Sequence, residues 1–230
     1  MSPMSAYHQF CPVSKAVELL DERWTLLVVR ELLAGSVHFN EVRRGVPRMS
    51  PTLLSKRLSR LTQAGIVTRE GGGQDVTYRL TAAGEELRPV VQALGAWGVR
   101  WIGEIGQADL DPKLLLWDLS RNIAPGVMPA GRTVVGFHFD DVEPKLRAWW
   151  LVMADDEVDV CDFDPGFDVD VRVVGALRRM VEIWRGDVDW SRALRAGHID
   201  IQGTDALRSA VPAWFPPSMF AGVPRVLAAG

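Results

Sequence analysis

The chain has 230 residues, of which 47% are hydrophobic and 24% charged, so it can form two domains of ordinary size. Its net charge of −3 is unevenly distributed: residues 1–107 carry 13 basic and 10 acidic side chains, whereas residues 108–230 carry 13 and 19. This excludes the second half as a favourable nucleic-acid surface. With no long apolar run, no basic leader and only two cysteines, the sequence predicts a cytoplasmic protein without membrane contact or a disulfide framework.

Three helical patterns open the chain and lie close together in sequence. Apolar residues recur at helical spacing over Val13–Leu20, Trp24–Ala34 and His38–Arg44. Gly35 and Gly45 follow the second and third patterns, at places where glycine commonly ends a helix. The short connections predict a compact helical cluster.

A fourth helix is specified at both of its ends. Ser50 can cap the first turn, Pro51 suits a first helical position that needs no N–H, and Gly65 can end the helix. At about 100° per residue, one face of this helix is leucine and the opposite face is basic and hydroxylated. The buried stripe is predicted to consist of Leu54, Leu58 and Leu61.

The polar face of this helix and the residues before it form a basic surface. No acidic residue interrupts the sequence from Arg43 to Arg69. Lysine and arginine bind phosphates, while hydroxyl and amide groups read base edges or fix the register on the backbone. One interpretation is an ordinary solvated helix face, and the other is a helix that enters a DNA groove. The second predicts contacts from Arg43, Arg48, Ser50, Thr52, Ser55, Lys56, Arg57, Ser59 and Arg60.

A hairpin is predicted directly after the fourth helix. Two β-prone runs, Ile66–Glu70 and Val76–Leu80, flank the glycine-rich tip Gly71–Asp75. Helices followed by such a hairpin make a winged-helix arrangement. The tip has no lysine or arginine, so basic contacts from this wing would come from Arg69 or Arg79.

A long helix is predicted over Ala82–Ile105, with Thr81 as its cap and a bend near Pro89. Its apolar residues recur at nearly heptad spacing, which predicts a homodimer seam; packing within the chain is the alternative. Two recognition helices in a dimer would reach major grooves about 34 Å apart, and so would read a pseudo-palindromic operator in double-stranded DNA. The predicted seam consists of Leu87, Val91, Leu94, Trp97 and Trp101.

The periodicity changes after a linker at Gln107–Pro112. Alternating residues in the later strands predict a half-buried antiparallel sheet, and the fold class is α+β. Strands are predicted at Thr133–Asp140, Ala148–Met153, Val158–Phe163, Asp168–Val174 and His198–Gly203. Helices are predicted at Lys113–Ile123, Ala176–Trp184, Ser191–Ala196 and Asp205–Phe215.

Four segments of the first half resemble the HxlR family of bacterial winged-helix regulators. These segments are Cys11–Val13, Leu19–Leu32, Phe39–Val42 and Met49–Leu58, within a predicted domain over residues 8–106. The resemblance implies a dimeric DNA-binding regulator whose fourth helix enters the major groove and whose wing approaches the flanking backbone. We expect this regulator to be a homodimeric repressor. The resemblance places DNA contacts on Thr52, Ser55, Lys56, Arg57 and Ser59 in the helix and on Gln74 in the wing.

The second half, residues 110–222, resembles the sterol-carrier-protein type of domain. The resemblance rests on Asp168–Val171, Ile183–Asp187, Ala193–Gly203 and Ala206–Phe215. It implies an antiparallel sheet covered by helices, an apolar tunnel and a hydrophobic small-molecule effector. Ordinary core packing and a domain that serves only as a dimerisation or partner scaffold are the alternatives. Candidate pocket residues are Trp117, Phe137, Trp149, Met153, Met180, Trp184, Trp214 and Phe220.

Cys11 stands at the start of the first predicted helix, where the helix N-terminus lowers a thiol pKa. Some members of the HxlR family sense oxidants or electrophiles through a cysteine at the matching place. Cys11 is therefore a candidate redox sensor, with an inert, partly buried residue as the alternative. The histidines and cysteines lack metal-ligand spacing and no catalytic motif occurs, so we expect no metal, no cofactor and no enzyme activity.

Overall fold

The computed structural model describes residues 6–73, 75–102, 105–124, 126–155 and 157–226. The chain forms two compact units, Met1–Gly95 and Ala96–Gly230. None of the helices in the described part of the chain is long and apolar enough to cross a membrane.

The first unit is a cluster of helices that carries a two-stranded antiparallel hairpin. Its elements are α1 (Pro12–Leu20), α2 (Thr25–Leu33), α3 (Phe39–Gly45), α4 (Pro51–Gln63), β1 (Val67–Glu70), β2 (Thr77–Leu80), α5 (Ala82–Glu85) and α6 (Arg88–Trp101). The boundary between the units falls within α6. The predicted winged helix-turn-helix arrangement is confirmed.

Apolar burial holds the helices of the first unit together. Leu54, Leu58 and Leu61 are at most 1% exposed, as their spacing predicted. They share one core cluster with Val28 and Val29 of α2. Fully burying a leucine contributes about 1.5–3 kcal/mol, so this stripe fixes which face of α4 is turned toward solvent.

A buried carboxylate joins α2 to the end of α3. Glu31 is fully buried and pairs with Arg30, whose guanidinium also donates a hydrogen bond to the Gly45 carbonyl oxygen at 2.8 Å. A Cβ atom at Gly45 would overlap the Glu31 carboxylate. A larger residue at this position would therefore displace the buried Glu31 carboxylate from its ion pair.

The prediction of one continuous helix from Ala82 to Ile105 is wrong. The structure has two helices, α5 and α6, separated at Glu86 and Leu87, and α6 ends at Trp101. Pro89 lies in the first turn of α6, where its missing N–H costs no helical bond. Its ring would crowd the carbonyl group of Glu85 in a continuous helix, so the predicted bend is a break.

The second unit is a sheet with helices packed against it, and the α+β class is confirmed. Its elements are a 3-10 turn (Gln107–Asp109), α7 (Pro112–Arg121), β3 (Thr133–Phe139), a 3-10 turn (Pro144–Leu146), β4 (Ala148–Ala154), β5 (Glu157–Cys161), β6 (Val171–Gly175), α8 (Leu177–Arg185), α9 (Trp190–Arg195), β7 (Ile199–Gly203) and α10 (Asp205–Trp214). Each strand and helix predicted in this half has a counterpart.

The prediction of a purely antiparallel sheet is wrong at one pair of strands. The strand order is β5-β4-β3-β6-β7, and β3 pairs with β6 in parallel. After β5 the chain returns along residues 162–170 and begins β6 at the same end of the sheet as β3. Val169 in this return lies close to Gly136 of β3. A Cβ atom on Gly136 would be 3.1 Å from the Val169 Cγ1 atom. A glycine in β3 thus gives the crossing segment room.

The core of the second unit lies on one face of this sheet. In β4, Trp149, Leu151 and Met153 are buried and alternate with residues that are at least partly exposed. Phe137 of β3 is paired with Trp149, and both belong to a cluster that also contains Met180 of α8. The helices therefore cover the face that the alternation marks as apolar.

Candidate nucleic-acid interface

The outward face of α4 is the centre of the candidate site. The Leu53 N–H donates a hydrogen bond to Ser50 Oγ at 3.3 Å, which caps the first turn. With the leucine stripe buried, the exposed side chains of α4 include Thr52, Ser55, Lys56 and Ser59. In the described part of the chain no carboxylate pairs with Lys56, so its ammonium group can meet a phosphate.

Arg57 and Arg60 lie at the edge of this face and have partners within the chain. Both guanidinium groups form ion pairs with the Glu22 carboxylate. Arg57 Nε also donates to the Arg23 carbonyl oxygen at 3.1 Å, and Arg60 donates to the Glu18 carbonyl oxygen at 3.3 Å. The two arginines tie α4 to the end of α1 and the turn before α2. Sequence reasoning missed this role because Glu22 and Arg60 are 38 residues apart.

The remaining predicted contacts lie before α4 and in the wing. Arg43 on α3 and Arg48 in the turn before α4 are exposed. Gln74, the predicted wing contact, lies outside the described residues. Arg69 and Arg79 occupy adjacent cross-strand pairs of the hairpin, so their side chains leave it on opposite faces.

The predicted dimer seam divides into two parts. Leu87 and Val91 are partly buried and pack against the core of the first unit, so this half of the stripe serves packing within the chain. Leu94, Trp97 and Trp101 are 50%, 56% and 57% exposed. Large apolar side chains that follow one another along a helix at this exposure are typical of an interaction surface.

Most of the predicted effector-pocket residues belong to the core of the second unit. Phe137, Trp149, Met153, Met180 and Trp214 are at most 4% exposed. Trp117, Trp184 and Phe220 are partly buried. Trp184 differs from the others because its indole Nε1 is buried and has no hydrogen-bond partner among the described residues.

Cys11 occupies the N-cap position of α1 and is partly exposed. The backbone N–H groups of Ser14 and then Val13 lower the pKa of its thiol from the ordinary value. The thiolate is the nucleophilic form of cysteine, so this position favours reaction with oxidants and electrophiles.

A helical cluster with an exposed polar helix, followed by a hairpin, defines a winged helix-turn-helix protein, a class that binds duplex DNA. A family model described as HxlR-like helix-turn-helix matches residues 19–105. YvaP, an uncharacterised HTH-type transcriptional regulator of Bacillus subtilis, is 36% identical over 98 residues, which cover 41% of this chain and 91% of YvaP. The chain belongs to the HxlR family of transcriptional regulators, which are not enzymes.

Two similar solved structures cover the same part of the chain. Quinone-bound YodB from B. subtilis is 36% identical, with a TM-score of 0.35 and coverage of 39% of this chain and 97% of YodB. The redox regulator HypR in its oxidized form is 33% identical, with a TM-score of 0.36 and coverage of 39% and 95%. None of these matches supports the predicted sterol-carrier resemblance of the second unit, which stays a prediction.

The position of Cys11 predicts early deprotonation. We expect the rate of alkylation by iodoacetamide, measured by mass spectrometry in a Cys161→Ser variant, to rise with a midpoint pH below that of the same chain in concentrated urea. The reason is that folding supplies the two N–H groups that stabilise the thiolate. Equal midpoints in the folded and unfolded chains would show that the helix terminus does not activate this thiol.

Proposed function

We propose that the protein is a homodimeric repressor that binds a pseudo-palindromic operator in duplex DNA through the outward face of α4. The observation that carries this proposal is the exposed set Thr52, Ser55, Lys56 and Ser59, set opposite three buried leucines. Hydroxyl groups donate and accept hydrogen bonds at base edges, and the lysine neutralises a phosphate. A dimer that covers its operator acts most simply by excluding the transcription machinery.

The basic residues of the site have two different roles in this proposal. Lys56, Arg43 and Arg48 are exposed and supply the salt-dependent attraction to phosphates. Arg57 and Arg60 position α4 through Glu22. Phosphate contact by these two arginines would have to compete with an ion pair that already exists in the free protein.

Dimerisation is supported by the exposed apolar residues Leu94, Trp97 and Trp101 on α6. Pairing this surface with a second copy removes apolar area from water, which favours association by roughly 25 cal/mol for each Å² buried. A closed two-fold dimer presents two α4 helices, as a two-fold-related operator requires.

A second candidate function is the binding of an apolar effector by the second unit. The buried Trp184 Nε1 without an acceptor favours it, because a bound ligand could supply the missing hydrogen bond. Arg178 of α8 donates to the Ile105 carbonyl oxygen at 3.1 Å and to the Gln107 side-chain oxygen at 3.3 Å. A movement of α8 on effector binding would thus be passed to the segment that follows α6. A coupling free energy of about 1.4 kcal/mol between effector binding and DNA binding changes operator affinity tenfold.

Sensing through Cys11 is the alternative mode of regulation, with the second unit as a scaffold. The bound quinone belongs to the YodB structure and the oxidised form to the HypR structure. Neither observation was made on this chain. For this chain, the support is the lowered pKa of the Cys11 thiol at the start of α1. Modification there would add bulk or charge beside a helix end.

Removing the Lys56 ammonium group tests the DNA contact. If Lys56 meets one phosphate, Lys56→Ala should weaken operator binding and reduce the slope of log K against log salt concentration by about 0.9. The measurement is fluorescence anisotropy with a selected operator at several salt concentrations.

Lys145→Ala is the matched control, because it removes the same charge from an exposed residue of the second unit. It should leave both the affinity and the slope unchanged. An unaltered slope in Lys56→Ala would contradict the proposed phosphate contact.

A charge in the exposed part of the α6 surface should disrupt the dimer. We expect Leu94→Glu to raise the dimer dissociation constant by at least about tenfold, since it buries a carboxylate against apolar side chains. Sedimentation equilibrium measures this dissociation constant for the wild type and the variant. Gln92→Glu, at an exposed position of the same helix, is the control and should remain dimeric. A monomeric wild type at micromolar concentration would refute the homodimer.

Native mass spectrometry of protein purified gently from its own host tests the effector. We expect a retained apolar compound, and a smaller retained fraction in a Trp184→Phe variant, which removes the indole N–H donor together with part of the ring. Protein that carries no compound would favour the scaffold alternative and leave the DNA-binding proposal standing.

A further inference from the structure

One carboxylate neutralises two arginines at the edge of the outward face of α4. Glu22, in the turn between α1 and α2, forms ion pairs with both Arg57 and Arg60. Residues three apart lie next to each other on a helix, so one acidic side chain can reach both guanidinium groups. The three side chains are between 16% and 29% exposed, and the ion pairs are therefore accessible from solvent.

The paired arginines lie beside the lysine that is proposed to meet DNA. Arg60 follows Lys56 by four residues, a spacing that makes the two side chains neighbours on the helix surface. A guanidinium group binds phosphate through two parallel hydrogen bonds. Without the Glu22 carboxylate, Arg60 would thus be available to the phosphates next to Lys56.

The turn that carries Glu22 is fixed by backbone hydrogen bonds. The Asp21 N–H donates to the Val17 carbonyl oxygen at the end of α1, and the Thr25 N–H donates to the Glu22 carbonyl oxygen, both at 2.9 Å. The carboxylate is therefore held beside α4. Its negative charge attracts the two arginines and repels a phosphate that approaches them.

We propose that Glu22 is an internal competitor of the DNA backbone, which withholds Arg57 and Arg60 from phosphate contact. This inference rests on the proposed role of α4 in DNA binding. Phosphate contacts add affinity for any duplex, whereas base contacts distinguish one sequence from another. Glu22 thus limits how tightly the protein holds arbitrary DNA and how steeply that binding depends on salt.

A purely structural role for Glu22 is the alternative, and the two roles differ in the sign of their effect. Loss of structural support would displace α4 and lower operator affinity. Release of two arginines would raise the affinity for every duplex. The burial of Leu54, Leu58 and Leu61 already sets the orientation of α4, which favours the competitor role.

Fluorescence anisotropy of the full-length protein with a random-sequence duplex, at several salt concentrations, tests the proposal. Glu22→Gln removes the charge and keeps a hydrogen-bonding oxygen. Each arginine released to a phosphate should steepen the slope of log K against log salt concentration by about 0.9. We expect a slope steeper by about 0.9 or more, and affinities for the random duplex and for a selected operator that rise by a similar factor of at least about three.

Two controls separate this effect from a general loss of negative charge. Asp21→Asn removes the same charge from the neighbouring residue, whose carboxylate accepts a hydrogen bond from the Tyr7 hydroxyl group at 2.9 Å. It should leave the slope unchanged. Arg57→Gln combined with Arg60→Gln should hardly alter the slope in the wild type, but should abolish the gain in the Glu22→Gln background. Circular dichroism checks that each variant keeps its helix content.

An unchanged slope in Glu22→Gln would overturn the proposal, as would a slope that already falls when both arginines are replaced in the wild type. Weaker operator binding with unchanged affinity for the random duplex would also overturn it, since Glu22 would then only position α4. Lys56→Ala in the same series keeps the two proposals apart. A slope that Lys56→Ala reduces and Glu22→Gln leaves unchanged refutes the competitor and supports the DNA contact of α4.

Discussion

The burial of Leu54, Leu58 and Leu61 is the constraint on which the DNA-facing surface depends. All three side chains are at most 1% exposed, and each contributes about 1.5–3 kcal/mol, so any rotation of α4 that exposed them would be strongly unfavourable. A helix turns about 100° per residue, so burial of the leucine face directs Ser55 and Lys56 toward solvent. The apolar back of the helix decides which polar groups can meet DNA.

Glu22 adds a second constraint that acts across the chain. By pairing with both Arg57 and Arg60, it fixes α4 against the turn before α2. The sequence pattern correctly placed these arginines near the polar face, but it could not reveal a partner 38 residues away from Arg60. The direction of the α4 side chains could thus be predicted from the sequence. Only the tertiary structure shows that Arg57 and Arg60 position the helix, whereas Lys56 remains exposed to contact DNA.

The same distinction separates the predicted and unpredicted parts of the fold. Local signals such as the Ser50 cap and the Pro51 start located α4 because they act within one turn. Alternation located the strands of the second unit, but it shows only which face a residue occupies and not which strand lies next to it. The parallel pairing of β3 with β6 therefore went unpredicted. The sequence predicted a bend at Pro89, whereas the structure has a break, and Leu87 at this break packs against the core of the first unit.

The most direct test of the account is selection of genomic DNA fragments by the immobilised full-length protein, followed by sequencing. We expect enriched fragments that share two half-sites related by two-fold symmetry, about one helical turn or a multiple of it apart. A variant that combines Ser55→Ala with Lys56→Ala should lose this enrichment while remaining folded. Wild-type enrichment no greater than that of the variant would contradict the assignment of α4 as the helix that reads DNA.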